Sequence, residues 1–454
     1  MPPPKRLLPP EVLQPLPVVL LFVFLSSLYS LAVPIWEAPD EPSHYLRVRK
    51  LAEPGFSPPV YPGPFRTVWS ELYLYSSYQD GQPPLYYLAA AGALNGINRV
   101  VEPPPPEVLF PPVRPDFGEG RSLFRHPPSP LRRRLAAAAS IHFLRLFSVL
   151  LGGVTVFLIY RIGRTIWPGE PAAALAAGGF AATLPQFTFI SGTVGNDPAA
   201  ALLGAGTLLY LVGRVGKDRP AGARYYLGLG VLLALGMLTK FNLAFLLPTA
   251  AVFIVIKVRD PARGIGLWGA LALTAAPLLL ISAGSALLFP GEFFWKIRVL
   301  FFRLFRVTPE MLTRPQLRHM AWTIYRSFFA LFGWMSAPVT GWFYLGWGLL
   351  ALAAVIGWIA NPFGRRGEVD RRGGGLLASA AAFLLLGVIK NNLLVPQSQG
   401  RFLFPALGAI AVLFSAGFCR LFPARARTGA ARVLLGALAA INLAALFGFI
   451  RGLT

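Results

Sequence analysis

The densest chemistry of this chain lies in Trp36-Glu37-Ala38-Pro39-Asp40-Glu41-Pro42-Ser43-His44-Tyr45, where three carboxylates and an imidazole follow an apolar run. Val18 to Val33 is apolar apart from hydroxyls, and Pro34, Ile35 and Trp36 form its interfacial end, with tryptophan at headgroup level. Charges at the mouth of a membrane helix cost free energy unless they pair or react, so chemistry on a membrane-bound substrate is the first expectation. Asp40, Glu41 and Pro42 suit the first turn of a helix, on which Asp40 and His44 share a face at i, i+4 and Glu41 and His44 at i, i+3. Two carboxylates held together and partly withdrawn from water resist double ionisation, which makes one a usable general base near neutral pH. The same pair could instead grip a divalent cation or sugar hydroxyls, and a plain N-cap at Asp40 would need only one carboxylate. Tyr45, Leu46, Val48 and Leu51, interleaved with basic residues, place this helix along the membrane surface.

Further chemistry is scattered along the chain. Tyr73, Tyr75 and Tyr78 precede Gln79-Asp80-Gly81-Gln82-Pro83-Pro84-Leu85-Tyr86-Tyr87-Leu88, a polar turn entering an apolar segment too short to span. Aromatic faces beside amide and carboxylate groups suit either an interfacial belt or a sugar, whose C–H face stacks while its hydroxyls hydrogen-bond. The segment Pro290–Thr340 is basic and aromatic, with Arg303 and Arg306 among its cations, and suits membrane phospholipid or a specific lipid phosphate. Lys240, Lys390 and Arg401 stand at or near span ends, where a cation needs a partner and a phosphate would serve. One cysteine, Cys419, excludes an internal disulfide or thiolate cluster, and four widely spaced histidines argue against a preformed zinc site.

The elements that must position these groups are membrane helices. Of 454 residues 55% are hydrophobic and 13% charged, against about 25% charged in soluble domains, and mean hydropathy is +0.57. The chain reads as an all-α polytopic membrane protein, one integral domain over residues 1–454. Eleven spans are expected: the first run, then His142–Ile162, Pro171–Ile190, Pro198–Gly213, Tyr226–Leu238, Phe241–Ile256, Ile265–Phe289, Gly341–Ala360, Gly375–Val395, Leu403–Phe418 and Val433–Phe449. The fifth and sixth are short and could form one hairpin that does not fully cross. Residues 37–135 form a long first loop carrying juxtamembrane helices, and residues 290–340 a second large one. Alternate loops collect Lys5/Arg6, Arg161/Arg164, Arg214/Lys217/Arg219/Arg224, Lys257/Arg259/Arg263, Arg365/Arg366/Arg371/Arg372 and Arg420/Arg425/Arg427/Arg432. The positive-inside rule makes that side cytoplasmic, with the N-terminus, and puts every unusual polar group on the extracytoplasmic face of the inner (cytoplasmic) membrane. The net charge of +23 follows from these loops and does not call for nucleic acid. A cleaved signal peptide ending near Ser30-Leu31-Ala32 would remove the first span and leave the acidic motif outside.

On these residues the chain resembles the GT-C superfamily of membrane glycosyltransferases. Pro39-Asp40-Glu41 resembles the acidic motif of their first outer loop, and Gln82-Pro83-Pro84-Leu85-Tyr86-Tyr87 the corresponding segment of bacterial lipid A aminoarabinose transferase relatives. Arg145 to Arg164 is similar to their second span. Asn196-Asp197, Thr239-Lys240 and Gln399-Gly400-Arg401-Phe402-Leu403-Phe404-Pro405 also have counterparts. The resemblance implies inverting transfer of a sugar from a polyprenyl-phosphate donor to a lipid, glycan or protein acceptor, within a bundle of about 11 helices. It implies Asp40 as general base, or Asp40 and Glu41 positioning the acceptor, with His44 in support. Asp197 would assist or, with Asp40, hold a divalent cation such as Mg or Mn. Arg401, Lys240 and the Arg303/Arg306 pair would stabilise the departing phosphate, with Asn196, Gln82, Tyr86 and Tyr87 also lining the substrate. Besides the donor, membrane lipids are the expected partners. Two other functions compete: a flippase of lipid-linked sugars, which calls for mid-membrane charges and related halves, and an O-antigen ligase or polymerase, whose late loop Pro290–Thr340 with His319 could imitate.

Overall fold

The computed structural model describes residues 14–56, 79–102, 104, 108, 114, 122–126, 138–215, 221–258, 265–288, 313–362 and 368–453. Helix α1 (Leu16–Ala32) has proline in its first turn and stops before Pro34. Helices α2 (Glu41–Ala52) and α3 (Leu85–Ile97) belong to the first loop. Next come α4 (Ala139–Ile166), the bent pair α5 (Pro171–Thr183) and α6 (Pro185–Ser191), α7 (Asp197–Val215) and α8 (Ala223–Met237). A 3-10 turn, Phe241–Phe245, leads into α9 (Leu246–Val258), followed by α10 (Leu267–Leu288) and α11 (Arg314–Phe329). A two-residue antiparallel hairpin pairs Leu331 with Pro338 and Phe332 with Ala337, ahead of α12 (Gly341–Ala360) and α13 (Glu368–Asn392). A second 3-10 turn, Gly400–Ala406, opens α14 (Leu407–Arg420), and α15 (Arg427–Leu453) ends the described chain.

Each of the eleven expected spans falls on a helix or helix pair. Eight are long and apolar enough to cross a bilayer, or nine if α5 and α6 count as one; α1 and α8, of 17 and 15 residues, are the shorter two. Helix α8, at roughly 22 Å, falls short of a bilayer core of about 30 Å, in line with the short pair read from the sequence. The 59° break between α5 and α6 sits at Pro185, which has no N–H to donate back. Asn442 Nδ2 donates to the freed Thr183 carbonyl and to Thr188 Oγ1, both at 3.0 Å, so that carbonyl is satisfied inside the protein.

Two features differ from the sequence reading. Helix α2, expected on the membrane surface, is buried from Glu41 through Val48. It packs on α3, and Trp36, Tyr45, Tyr87, Leu94, Phe124 and Ile141 join a second core beneath it. The cations on α2 hide this from the sequence: Arg47 and Lys50 find their partners in the Gln79 carbonyl and Asp80, about thirty residues on, while Arg49 pairs with Glu53 at the helix end. In the 290–340 loop the described part holds α11 and the hairpin, whose Trp334 indole N–H donates to the Trp36 carbonyl at 2.8 Å and whose Leu331 N–H donates to Gln186 Oε1 at 2.7 Å. Arg303 and Arg306 lie outside the described residues.

The Gly400–Ala406 turn is wedged between α7 and α11. A Cβ on Gly204 would overlap the Pro405 carbonyl, and one on Gly400 would overlap the Phe328 backbone. Only glycine lets these backbones approach. Gly204→Ala is expected to cost about 1–3 kcal/mol through overpacking and to lower the thermal unfolding midpoint in detergent, with loss of function because the turn carries Arg401. An unchanged midpoint would show that the turn can move away freely.

Candidate active site

The acidic motif is folded by two left-handed residues, Trp36 (φ 73°) and Asp40 (φ 67°). Aspartate tolerates this region; tryptophan does so only where its surroundings enforce it. The Trp36 ring is buried against Tyr45, and its indole N–H donates to the Val108 carbonyl at 2.8 Å. With the chain turned twice, the three carboxylates diverge.

Glu37 is fully buried and holds a later part of the loop: Leu123 and Phe124 donate their N–H groups to it at 3.0 Å, and His126 Nε2 lies 2.8 Å away. Glu41, also fully buried, accepts from Arg145 Nε at 2.8 Å and Nη2 at 2.7 Å, and from the N–H groups of Trp36 and Val194 at 3.1 and 2.9 Å. Both of its oxygens are thereby occupied, and no face is left for an acceptor substrate. The expected catalytic Glu41 is instead placed as an anchor between the motif, α4 and the turn before α7.

Asp40 faces the other way, with 21% of its side chain exposed. Arg401 Nη2 donates to Asp40 Oδ2, Nε to Gln399 Oε1 at 2.6 Å and Nη1 to the Pro39 carbonyl at 3.3 Å. Arg401 Nη1 also lies 3.5 Å from Asp197 Oδ2, while Lys240 Nζ donates to Asp197 Oδ1 at 2.6 Å. Asp40, Arg401, Asp197 and Lys240 thus form a row of alternating charges, assembled from four distant parts of the chain. Asn196 is buried beside it and donates from Nδ2 to the Thr239 carbonyl at 3.5 Å.

His44 Nδ1 shares a 2.7 Å hydrogen bond with the Tyr87 hydroxyl, and the two rings stack at 5.7 Å. Burial pushes the His44 imidazole down to about 3, with the nearby Asp40 charge opposing, so the ring is neutral at ordinary pH. Arg47 lies over the Tyr87 ring at 4.3 Å and donates to the Gln79 carbonyl. The Tyr86 hydroxyl accepts from Gly195 N–H at 3.0 Å. Tyr86 therefore ties α3 to the turn before α7 and Tyr87 ties α3 to α2; both rings are buried.

Next to the charge row lies a cavity of about 370 Å³. Apolar side chains line most of it, including Phe241, Phe245, Leu384, Val388 and Phe402, and Gln82, Asn242, Asn391 and Gln397 supply amides. Lys240 and Lys390 are cations of its wall, and among the described residues no carboxylate lines it. The expected cation ligands Asp40 and Asp197 are brought together, but the Arg401 guanidinium stands between them and Lys240 already neutralises Asp197. A dication there would meet two positive charges already paired with these acids, so the donor set as arranged does not suit a metal, and no group of three or more potential ligands gathers among the described residues.

The sequence singled out Asp40, Asp197, Lys240 and Arg401, and the structure joins them. It missed the partner of Glu41, although a lone arginine in the apolar start of the second span was the available signal.

Residues 134–282 match the family model for dolichyl-phosphate-mannose-protein mannosyltransferase. Among solved structures, the Archaeoglobus fulgidus oligosaccharyltransferase in its apo form is similar at 15% identity and a TM-score of 0.50, covering 95% of this chain and 56% of that one. ArnT from Cupriavidus metallidurans, in a crystal structure bound to undecaprenyl phosphate, is similar at 14% identity and a TM-score of 0.48, covering 95% of this chain and 76% of that one. The archaeal enzyme in complex with Zn and sulfate gives 13%, a TM-score of 0.47, and coverage of 94% and 52%. The chain thus spans little more than half the length of the archaeal enzyme. No curated protein matches it in sequence. The chain is a multi-pass membrane protein whose fold is similar to that of the archaeal oligosaccharyltransferase.

Removing one partner of a buried ion pair strands the other charge, at a cost of about 3–5 kcal/mol. Arg145→Met is therefore expected to unfold far more readily than wild type, and the double variant Glu41→Gln/Arg145→Met to recover part of the loss in thermal denaturation. Equal stability of the single and double variants would show that the pair is not the anchor.

Proposed function

We propose that the chain is an inverting glycosyltransferase that takes a sugar from a polyprenyl-phosphate donor, with Asp40 as the general base on the acceptor hydroxyl. The observation that carries this reading is the position of Lys240. Its ammonium closes the charge row on Asp197 and also lines the apolar cavity, where a lipid tail and its phosphate would meet. Of the motif's three carboxylates, Asp40 alone keeps exposed surface; Glu37 and Glu41 are used up as anchors.

In the reaction the acceptor hydroxyl gives its proton to Asp40 as its oxygen bonds to the anomeric carbon. The bond from that carbon to the phosphate oxygen breaks, and its electron pair leaves on the polyprenyl phosphate. Lys240 and Arg401 stabilise the negative charge that develops there. Glu41 and Arg145 position the motif without touching substrate, and neutral His44 holds Tyr87 in place. Asn196 and Gln82 border the phosphate and the cavity. Because the basic loops fall on the opposite side, the site opens to the extracytoplasmic face of the inner membrane. A lipid, glycan or protein supplies the acceptor hydroxyl.

Transfer assayed from a panel of polyprenyl-phosphate sugars is expected to fall by about 10²- to 10⁴-fold in kcat for Asp40→Asn, as loss of a general base predicts. The pH–rate profile of wild type should show no step from His44 between about pH 5 and 8, since its ring stays neutral there. Unchanged transfer by Asp40→Asn would remove Asp40 from the chemistry.

A further inference from the structure

We infer that Asp197 and Arg401 form a charge-exchange relay through which a lipid phosphate in the Lys240 cavity frees Asp40; this rests on the donor reading above. One oxygen of Asp40 is held by a cation. Arg401 Nη2 occupies its Oδ2, and the same guanidinium is held at the Pro39 carbonyl and Gln399. Arg401 leans only loosely on Asp197, at 3.5 Å, because Lys240 already neutralises that carboxylate at 2.6 Å.

A phosphate entering the cavity competes for Lys240, the one cation common to cavity and row. Once Lys240 turns to the phosphate, Asp197 is a buried carboxylate that has lost its closest cation. Burial then decides which acid keeps Arg401. The Asp197 side chain is 2% exposed and the Asp40 side chain 21%. An unpaired charge costs much more where water cannot reach it, so Arg401 moves toward Asp197 and Asp40 is the acid left to solvent and to an acceptor hydroxyl. Only proximity changes in this step; no bond is made or broken. Its consequence is a compulsory order, donor before acceptor, so that the base becomes available only when a leaving group is in place.

Asp40 can be followed directly by coupling with a water-soluble carbodiimide and an amine nucleophile, then peptide mass mapping of the full-length protein in detergent. The probe is undecaprenyl phosphate, with undecaprenol as the control lacking phosphate, and retention of radiolabelled lipid on the immobilised protein measures binding. Undecaprenyl phosphate is expected to speed modification of Asp40 severalfold, undecaprenol to leave it unchanged, and Asp197→Asn to abolish the acceleration while still retaining the lipid through Lys240. Bound undecaprenyl phosphate with unchanged or slower modification of wild-type Asp40 would overturn the relay and leave the donor reading intact. Acceleration that persists in Asp197→Asn would remove Asp197 from it. Failure of the wild type to retain the lipid would overturn the relay and the donor reading together.

Discussion

The Arg145–Glu41 ion pair is the constraint on which the rest of the site depends. Every N–H of the guanidinium is used: two go to Glu41, two to the Ser30 and Val33 carbonyls at 2.8 and 2.9 Å, and one to the Pro34 carbonyl at 3.2 Å. Ser30 lies in the last turn of α1, where carbonyls have no intrahelical donor, so an arginine from α4 caps that end. Glu41 in turn accepts the backbone N–H groups of Trp36 and Val194. A buried pair repays its desolvation only when every remaining donor and acceptor is met, and here each one is. One contact thereby fixes the end of α1, the start of α2, the entry of α4 and the turn before α7, and Asp40 and Asp197 are brought face to face as a result.

Given that frame, the division of labour among the three carboxylates follows from burial. Glu37 and Glu41 face inward to backbone donors and cations fixed by the fold, and they define shape. Asp40 is turned by its left-handed backbone toward Arg401, a cation shared with a second acid. An ion pair with an alternative partner can rearrange at small cost, whereas one with every donor and acceptor satisfied cannot. The motif therefore combines a rigid half with a movable half within five residues.

The spans were legible because an apolar run long enough for a bilayer is a one-dimensional signal, and each of the eleven carries a helix. Asp40, Asp197, Lys240 and Arg401 were legible for a related reason, since a charge at a span end advertises a missing partner. What the sequence could not supply was the pairing. Glu41 reads like Asp40 until Arg145, 104 residues away, claims it. His44 reads like a catalytic imidazole at i, i+4 until Tyr87 stacks on it and burial keeps it neutral. Helix α2 reads as amphipathic and surface-bound until α3 packs on it and Leu123 and Phe124 join the same core. In each case the deciding contact is long-range, and no local periodicity encodes it.

The four charges of the row also share a local setting. Asp40 directly precedes α2, Asp197 begins α7, Lys240 directly precedes the Phe241–Phe245 turn, and Arg401 lies in the first turn of Gly400–Ala406. The N-termini of α2 and α7 present unpaired N–H groups and a partial positive charge, which stabilise the two acids. On the donor reading proposed above, a phosphate entering beside the row would meet cations that the two carboxylates hold in place. Both 3-10 turns lie where irregular backbone is tolerated at a membrane, inside protein and beside a cavity. The adjoining wall of Phe241, Phe245, Leu384 and Phe402 is apolar. A ligand that satisfies both surfaces at once must join an anionic head to a hydrocarbon tail, and Lys240 sits where the two meet.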